Sequence, residues 1–241
     1  MDIIGVIPAR YESSRFPGKV LANISGRTMI QWVWEAAKKA HLLEDLIIAT
    51  DDERVVKAAE VFGGKVILTS KGHLSGADRI CELVNPLDVK VIVNIQGDEP
   101  LIRPVMIDDL ASVLINEPSI QMVTLKHRIE DKNQLNDPNI VKVVTDKNNF
   151  ALYFSRSSIP YFSNAQQPAH NTYKHIGMYA YTKDFLFTFA NLIPSFLEKM
   201  ESLEQLRALE HGYRIKVIET KYDSISVDTP RDLEEVRKRL Q

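Results

Sequence analysis

Short β-branched runs alternate along the chain with stretches of helical period. Residues 3–7, 46–50, 66–68 and 89–95 read as strands, and residues 28–43 carry apolar positions Met29, Val33, Ala36, Ala37 and Ala40 at helical spacing. This alternation is the mark of βαβ units and a parallel sheet. The second crossover is punctuated at both ends, with Asp51 and Asp52 as candidate caps for a helix over 53–62 and Gly63-Gly64 as its stop. A polar turn, Gln96-Gly97-Asp98-Glu99-Pro100, follows the fourth strand, and a helix over about 104–116 follows the turn. Further strands are predicted at 122–125, 141–145, 175–181 and 215–218. Ser202-Leu203-Glu204-Gln205 has the form of a capping box opening a helix that closes at Gly212. Thr229-Pro230-Arg231-Asp232 has the same form and opens a terminal helix, with Asp228 just ahead of it.

Residues 150–212 break the regular alternation and hold most of the aromatic side chains, among them Tyr153, Phe154, Tyr161, Phe162, Tyr173, Tyr179, Tyr181, Phe185, Phe187, Phe189 and Phe196. They read as an insertion that shapes a pocket or an oligomer interface. The expected fold class is therefore α/β: a three-layer, Rossmann-like fold with a mixed, mostly parallel central sheet. Residues 1–241 form one domain in this reading, with the insertion at about 150–212.

Composition narrows the partners. The 241 residues carry 30 Lys and Arg against 32 Asp and Glu, a net charge of −2, with no overall basic bias toward nucleic acid. Any grip on a polyphosphate must be local. The one cysteine, Cys81, excludes an internal disulfide and any multi-cysteine metal cage, and its apolar-periodic surroundings predict a buried structural thiol in a reducing compartment. No apolar stretch reaches the roughly 20 residues of a membrane helix, and the amino terminus lacks the basic region of a signal peptide. The expected location is the cytoplasm, without stable membrane association.

The most informative segment, residues 8–19, directly follows the first strand and places Arg10, Arg15 and Lys19 on one loop. Three cations at the carboxyl edge of a parallel sheet fit a polyanion lying among them. Neither a Walker loop nor a dinucleotide fingerprint occurs, so the grip uses side chains. Asp98 and Asp228, 130 residues apart, are both expected at that edge. Two carboxylates suit magnesium, which completes its shell with water and phosphate oxygens. Ser75 and Gly76 open a predicted helix and can turn N–H groups toward a base or ribose, with Arg79 adding charge; an ordinary helix cap explains them equally. The six histidines form no H-E-x-x-H, and no G-x-S-x-G elbow occurs, so zinc hydrolysis and Ser-His-Asp catalysis have no support.

The run Ile7-Pro8-Ala9-Arg10-Tyr11-Glu12-Ser13-Ser14-Arg15-Phe16-Pro17-Gly18-Lys19 resembles the amino-terminal signature of the 3-deoxy-manno-octulosonate (Kdo) cytidylyltransferase family. Agreement continues through residues 49–51, 73–76, 93–100, 153–156, 175–179, 203–207 and 227–230, spanning 3 to about 236. The resemblance implies that CTP and Kdo give CMP-Kdo and pyrophosphate for lipopolysaccharide assembly, on a homodimer. It implies Arg10, Arg15 and Lys19 on the triphosphate, Asp98 and Asp228 on magnesium, and Pro8, Ala9, Ser75 and Gly76 around cytosine and ribose, with Arg79 nearby. For the sugar acid it implies Gln96, Arg156, His175, Tyr179, Glu204 and Gln205, with Arg156 as partner of the carboxylate; Tyr179 equally fits a packing role. The segments Tyr173-Lys174-His175 and Tyr222-Asp223-Ser224-Ile225 resemble members that activate the 8-amino analogue of Kdo, which stands as an alternative substrate. A transferase for another sugar acid, and a silent nucleotide-binding module, are the remaining readings.

Overall fold

Strand β1 (Ile3–Pro8) leads into a loop, a single 3-10 turn at Lys19–Leu21, and a small hairpin of β2 (Asn23–Ile24) and β3 (Arg27–Thr28). Then follow α1 (Met29–Ala37), β4 (Asp45–Thr50), α2 (Glu53–Val61), β5 (Val66–Leu68), α3 (Gly76–Val84), β6 (Val91–Asn94) and α4 (Pro104–Asn116). The computed structural model describes residues 2–13, 16–73, 75–161 and 172–240. By packing, the chain divides into two compact units, residues 1–112 with 222–241, and residues 113–221. The aromatic segment falls wholly within the second.

In the first unit β6, β1, β4 and β5 lie side by side in that order, all parallel. Buried Ile4, Val6 and Ile7 of β1 and Ile47 to Ala49 of β4 show why these runs are apolar on both sides: helices cover both faces. Parallel strands put all their carboxyl ends on one edge. The loops after β1, β4, β5 and β6 therefore gather there, as open α/β sheets require for a ligand crevice.

Local chemistry sets the helix ends much as expected. Thr28 caps α1, its Oγ1 accepting from Gln31 N at 3.3 Å, and Asp52 caps α2, accepting from Arg54 N at 2.9 Å. Gly63 takes the left-handed conformation, φ +71°, that ends α2. Helix α1 stops at Ala37, short of the predicted residue 43. Cys81, on α3, is half-buried rather than buried as expected.

The second unit contains β7 (Met122–Arg128), α5 (Asn133–Asn136), β8 (Lys142–Thr145), β9 (Ala151–Ser155), β10 (Tyr173–Thr182), α6 (Lys183–Asn191), α7 (Phe196–Glu201), α8 (Leu206–Glu210) and β11 (Lys216–Thr220). Its sheet is mixed, with β11 parallel to β7 and the pairs β7–β10, β10–β8 and β8–β9 antiparallel. The predicted capping box at Ser202 does not form. Ser202 is instead the left-handed C-cap of α7 (φ 53°), and α8 starts beyond it with no side-chain cap. Ring contacts run from His175 through Tyr179, Tyr181 and Phe189 to Phe185 and Tyr213, with Tyr179, Tyr181, Phe185 and Phe189 buried. Much of the aromatic segment thus builds this unit's own core; Phe162 lies outside the described residues.

The chain returns to the first unit for α9 (Pro230–Arg239). Thr229 and Asp232 form the predicted capping box around Pro230, and Arg237, Lys238 and Arg239 occupy the last turn, where the helix dipole favours cations. Leu233 and Val236 pack with Val227, Ile24 and Met29 in one buried cluster. This cluster fixes Asp228, next to Val227, against the hairpin that follows Lys19.

Candidate functional site

Lys19 is the hinge of the first unit's site. Gly18, at φ +70°, turns the chain beneath the ring of Tyr11, where a Cβ would stand 3.0 Å from the phenol, and Gly18 N donates to Tyr11 O at 2.8 Å. Only glycine takes this conformation in that space without strain. The Lys19 ammonium then donates to Asp98 Oδ2 at 2.5 Å and to Asp228 Oδ1 at 2.8 Å. Burial pulls its pKa down, but the two carboxylates outweigh burial and hold it above the ordinary lysine value. It stays charged throughout the working pH range.

The backbone that carries these carboxylates is tied down. Val227 N donates to Asp98 O at 2.9 Å, and one residue further along Ser224 Oγ donates to Glu99 Oε2 at 2.8 Å, with Glu99 and Ser224 both buried. Gly97 lets this loop approach β1: a Cβ there would meet Pro8 O at 2.9 Å, a backbone atom that cannot yield. Asp228 does not directly follow a strand. It reaches the site from the long irregular stretch before α9, through the Val227 bond and the buried cluster.

Arg10 Nη2 donates to His73 O at 2.8 Å, which draws the first loop to the one before α3. Pro8 also faces α3, since a Cβ on Gly76 would stand 3.7 Å from Pro8 Cγ. Ala9 is buried and continues the β1 ladder through Ala9 N to Ala49 O at 2.8 Å. Ser75 and Asp78 form a capping box, Ser75 N to Asp78 Oδ2 at 3.0 Å and Asp78 N to Ser75 Oγ at 3.1 Å. Ser75's side chain and N–H are thereby spent on the helix. Arg79 is fully buried, its guanidinium on Asp51 Oδ2 at 2.6 Å and on Thr69 Oγ1. It ties the ends of β4 and β5 to α3 and presents no charge to solvent. Arg15 lies outside the described residues.

Sequence reasoning missed two cations. Arg54 forks onto Asp52 at 2.8 and 2.6 Å and stacks 3.3 Å above the Tyr11 ring, which braces the Arg10–Lys19 loop from outside. An arginine next to a helix-capping aspartate was the available signal. In the second unit, the buried Lys142 donates to the carbonyls of Asp137, Ile140 and Arg156 at 2.9, 2.6 and 2.6 Å.

The residues nominated for the sugar acid present a different chemistry. Gln96, in the first unit, is half-buried with its amide 3.5 Å from Asn94 Oδ1. Arg156 directs its guanidinium to the carbonyls of Glu201 (2.7 Å), Pro138 (3.0 Å) and Ser202 (3.4 Å). Three of its five N–H groups are thus spent on backbone. Between Ile176 and Tyr179 the register of β10 against β7 shifts, and Thr124 Oγ1 meets the loosened strand, 2.8 Å from Met178 O and 3.0 Å from His175 Nε2. A hydroxyl has one proton, so donation to Met178 O leaves its oxygen to accept from His175 Nε2–H, an assignment made from the network. Burial between Phe154 and Tyr179 pushes the imidazole down to about 3, so His175 is neutral at working pH. Tyr179 is buried and stacks on Tyr181 at 5.8 Å. Gln205 is buried, and its side-chain nitrogen has no partner among the described residues; Glu204 lies 3.9 Å from Arg207.

Among the described residues no group of three or more His, Cys, Asp or Glu gathers as a metal cage. Asp98 and Asp228 nevertheless converge on one ammonium, so the same two oxygens lie within reach of one small cation, and hard carboxylate oxygens match magnesium.

The family model described as Cytidylyltransferase matches residues 4–217. A 3-deoxy-manno-octulosonate cytidylyltransferase of Geotalea uraniireducens is 50% identical over 250 residues, covering all of both chains. The enzyme of the same name from Solibacter usitatus is 54% identical over 236 residues, covering 98% of this chain and 93% of its own. Among solved structures, a CMP:2-keto-3-deoxy-manno-octonic acid synthetase complexed with CTP matches with a TM-score of 0.93 at 42% identity, covering 100% of this chain and 98% of its own.

Proposed function

The chain belongs to the cytidylyltransferase family and is a nucleotidyltransferase, and we propose that it activates Kdo with CTP, giving CMP-Kdo and pyrophosphate for lipopolysaccharide assembly. The anomeric hydroxyl of the sugar acid attacks the α-phosphorus in line. A phosphodiester bond forms, the bond to the leaving pyrophosphate breaks, and the hydroxyl proton is released. Such transfer asks the protein for positioning and charge neutralisation above all.

The observation that carries this reading is the convergence of Lys19, Asp98 and Asp228, at 2.5 and 2.8 Å, on the ligand edge of the first unit's sheet. Lys19 and Arg10, with Arg15, neutralise the triphosphate. Pro8, Ala9, Ser75 and Gly76 shape the cytosine and ribose site, while Arg79, buried against Asp51, positions the turn before α3. Asp98 and Asp228 would hold magnesium, which when bound withdraws charge from phosphate oxygens. His175, Tyr179, Glu204 and Gln205 of the second unit serve the sugar acid, with Arg156, bound to three backbone carbonyls, holding the wall beside them. The unpartnered buried amide of Gln205 supports this part most directly, since a sugar hydroxyl would satisfy it.

The protein acts in the cytoplasm as a homodimer. No described helix is long and apolar enough to cross a membrane. Leu152, Ile193, Phe196 and Met200 of the second unit are large, apolar and exposed, and Phe196 and Met200 lie one turn apart on α7. Light scattering should return twice the chain mass; a monomer would reject the dimer. The function itself is tested by pyrophosphate release. It should require CTP, magnesium and Kdo together, and Kdo should outrun its 8-amino analogue and N-acetylneuraminate. Release that ignores the sugar would overturn the reading.

A further inference from the structure

The residues nominated for magnesium stand on backbone that the fold ties down, whereas the ammonium joining their carboxylates sits at the end of a flexible stem. Asp98 is stitched to the approach of α9 by Val227 N–H, and its neighbour Glu99 by the Ser224 hydroxyl. Val227 is in turn locked in the buried cluster with Ile24, Met29, Leu233 and Val236. The backbone carrying both residues is therefore anchored, and Asp98 Oδ2 and Asp228 Oδ1 meet on one ammonium at 2.5 and 2.8 Å. Lys19 reaches them differently, through a long unbranched stem that springs from a three-residue 3-10 turn. Such a side chain exchanges partners by rotamer change alone, without moving backbone.

Its ammonium contacts the same two carboxylates that a metal would use. Two carboxylates held this close without a cation repel each other, so the fold needs a positive charge there at all times. A divalent ion added beside the ammonium would set like charges in contact. We propose that Lys19 is a built-in counter-cation that competes with divalent metal for Asp98 and Asp228, so that the protein alone holds the metal weakly. The metal and the nucleotide then enter together, since triphosphate oxygens offer the ammonium other partners as the carboxylates pass to the metal. This rests on reading Asp98 and Asp228 as the metal ligands.

The test uses manganese as the probe, with the full chain and no nucleotide, following the free ion by electron paramagnetic resonance. Lys19→Met, and Lys19→Gln as a second neutral variant, should bind manganese at least about tenfold more tightly than the unaltered chain, since each removes a competing positive charge. Lys19→Arg, which keeps the charge, should not. The gain should vanish when Asp98→Asn is added to Lys19→Met. Neutral variants that fold, by circular dichroism, yet bind manganese no better than the unaltered chain would overturn the proposal. If in that case Asp98→Asn still weakens binding, the metal ligands stand and only the competition is refuted. If Asp98→Asn and Asp228→Asn bind manganese as the unaltered chain does, the assignment of the metal ligands itself fails and takes the proposal with it.

Discussion

The two units solve opposite electrostatic problems. In the first, charged side chains meet each other: Lys19 joins Asp98 and Asp228, and Arg54 braces Tyr11. In the second, the residues nominated for the sugar acid are neutral or spent, with His175 held uncharged by burial and three N–H groups of Arg156 given to backbone carbonyls. The lesson is that, under the proposed function, charge would meet the triphosphate, whereas shape and neutral hydrogen bonds would meet most of the sugar acid.

Removing the central charge should have the largest effect. Lys19→Met should cut pyrophosphate release at least about 100-fold at saturating substrates, the scale of losing one preorganised electrostatic group. A loss under tenfold would break the contrast at its stronger end. Arg156→Ala should act mainly on stability, lowering it by about 2 kcal/mol in urea unfolding, because hydrogen bonds from a charged group to Pro138, Glu201 and Ser202 disappear. A large rise in KM for the sugar acid with unchanged stability would show that Arg156 is a direct ligand and erase the distinction.

Gly97→Ala should be milder, about 1–2 kcal/mol, because its Cβ would press on Pro8 O, 2.9 Å away, and push the Asp98 loop outward. The matching readout is a raised KM for CTP. A further effect appears only on acidification. His175 sits at about 3 in the folded chain against an ordinary 6.5. Between those values the unfolded chain binds a proton that the folded chain refuses, so stability is full above about 6.5 and falls as pH drops toward 3. His175→Gln should flatten that fall in melts taken across the window, and an unchanged slope would place the titration elsewhere.

Much of this contrast is legible in the sequence, but unevenly. Features set by neighbours in sequence read well: the Asp52 and Thr229 caps, Gly63 as a helix stop, and the strand ends that carry Arg10 and Asp98. Features set by distant partners did not. Arg79 looks like a free cation beside a helix start until Asp51, 28 residues away, takes it into the interior. Arg156 reads from sequence as a carboxylate partner, and no local signal shows that the carbonyls of 138, 201 and 202 take three of its N–H groups. Ser202 had every local mark of an N-cap, yet the chain arrives there from α7, whose end requires a left-handed residue. The aromatic run was legible as unusual but not as core, because burial depends on which strands pair.

The central claim is that Asp98 and Asp228 form the metal and triphosphate centre of a CTP-dependent transferase. It is tested most directly by the turnover of Asp98→Asn, measured as pyrophosphate release at saturating CTP, Kdo and magnesium, alongside its thermal midpoint. The expected result is a fall of at least about 100-fold with the midpoint close to that of the unaltered chain. Turnover within a few-fold of the unaltered chain would contradict it.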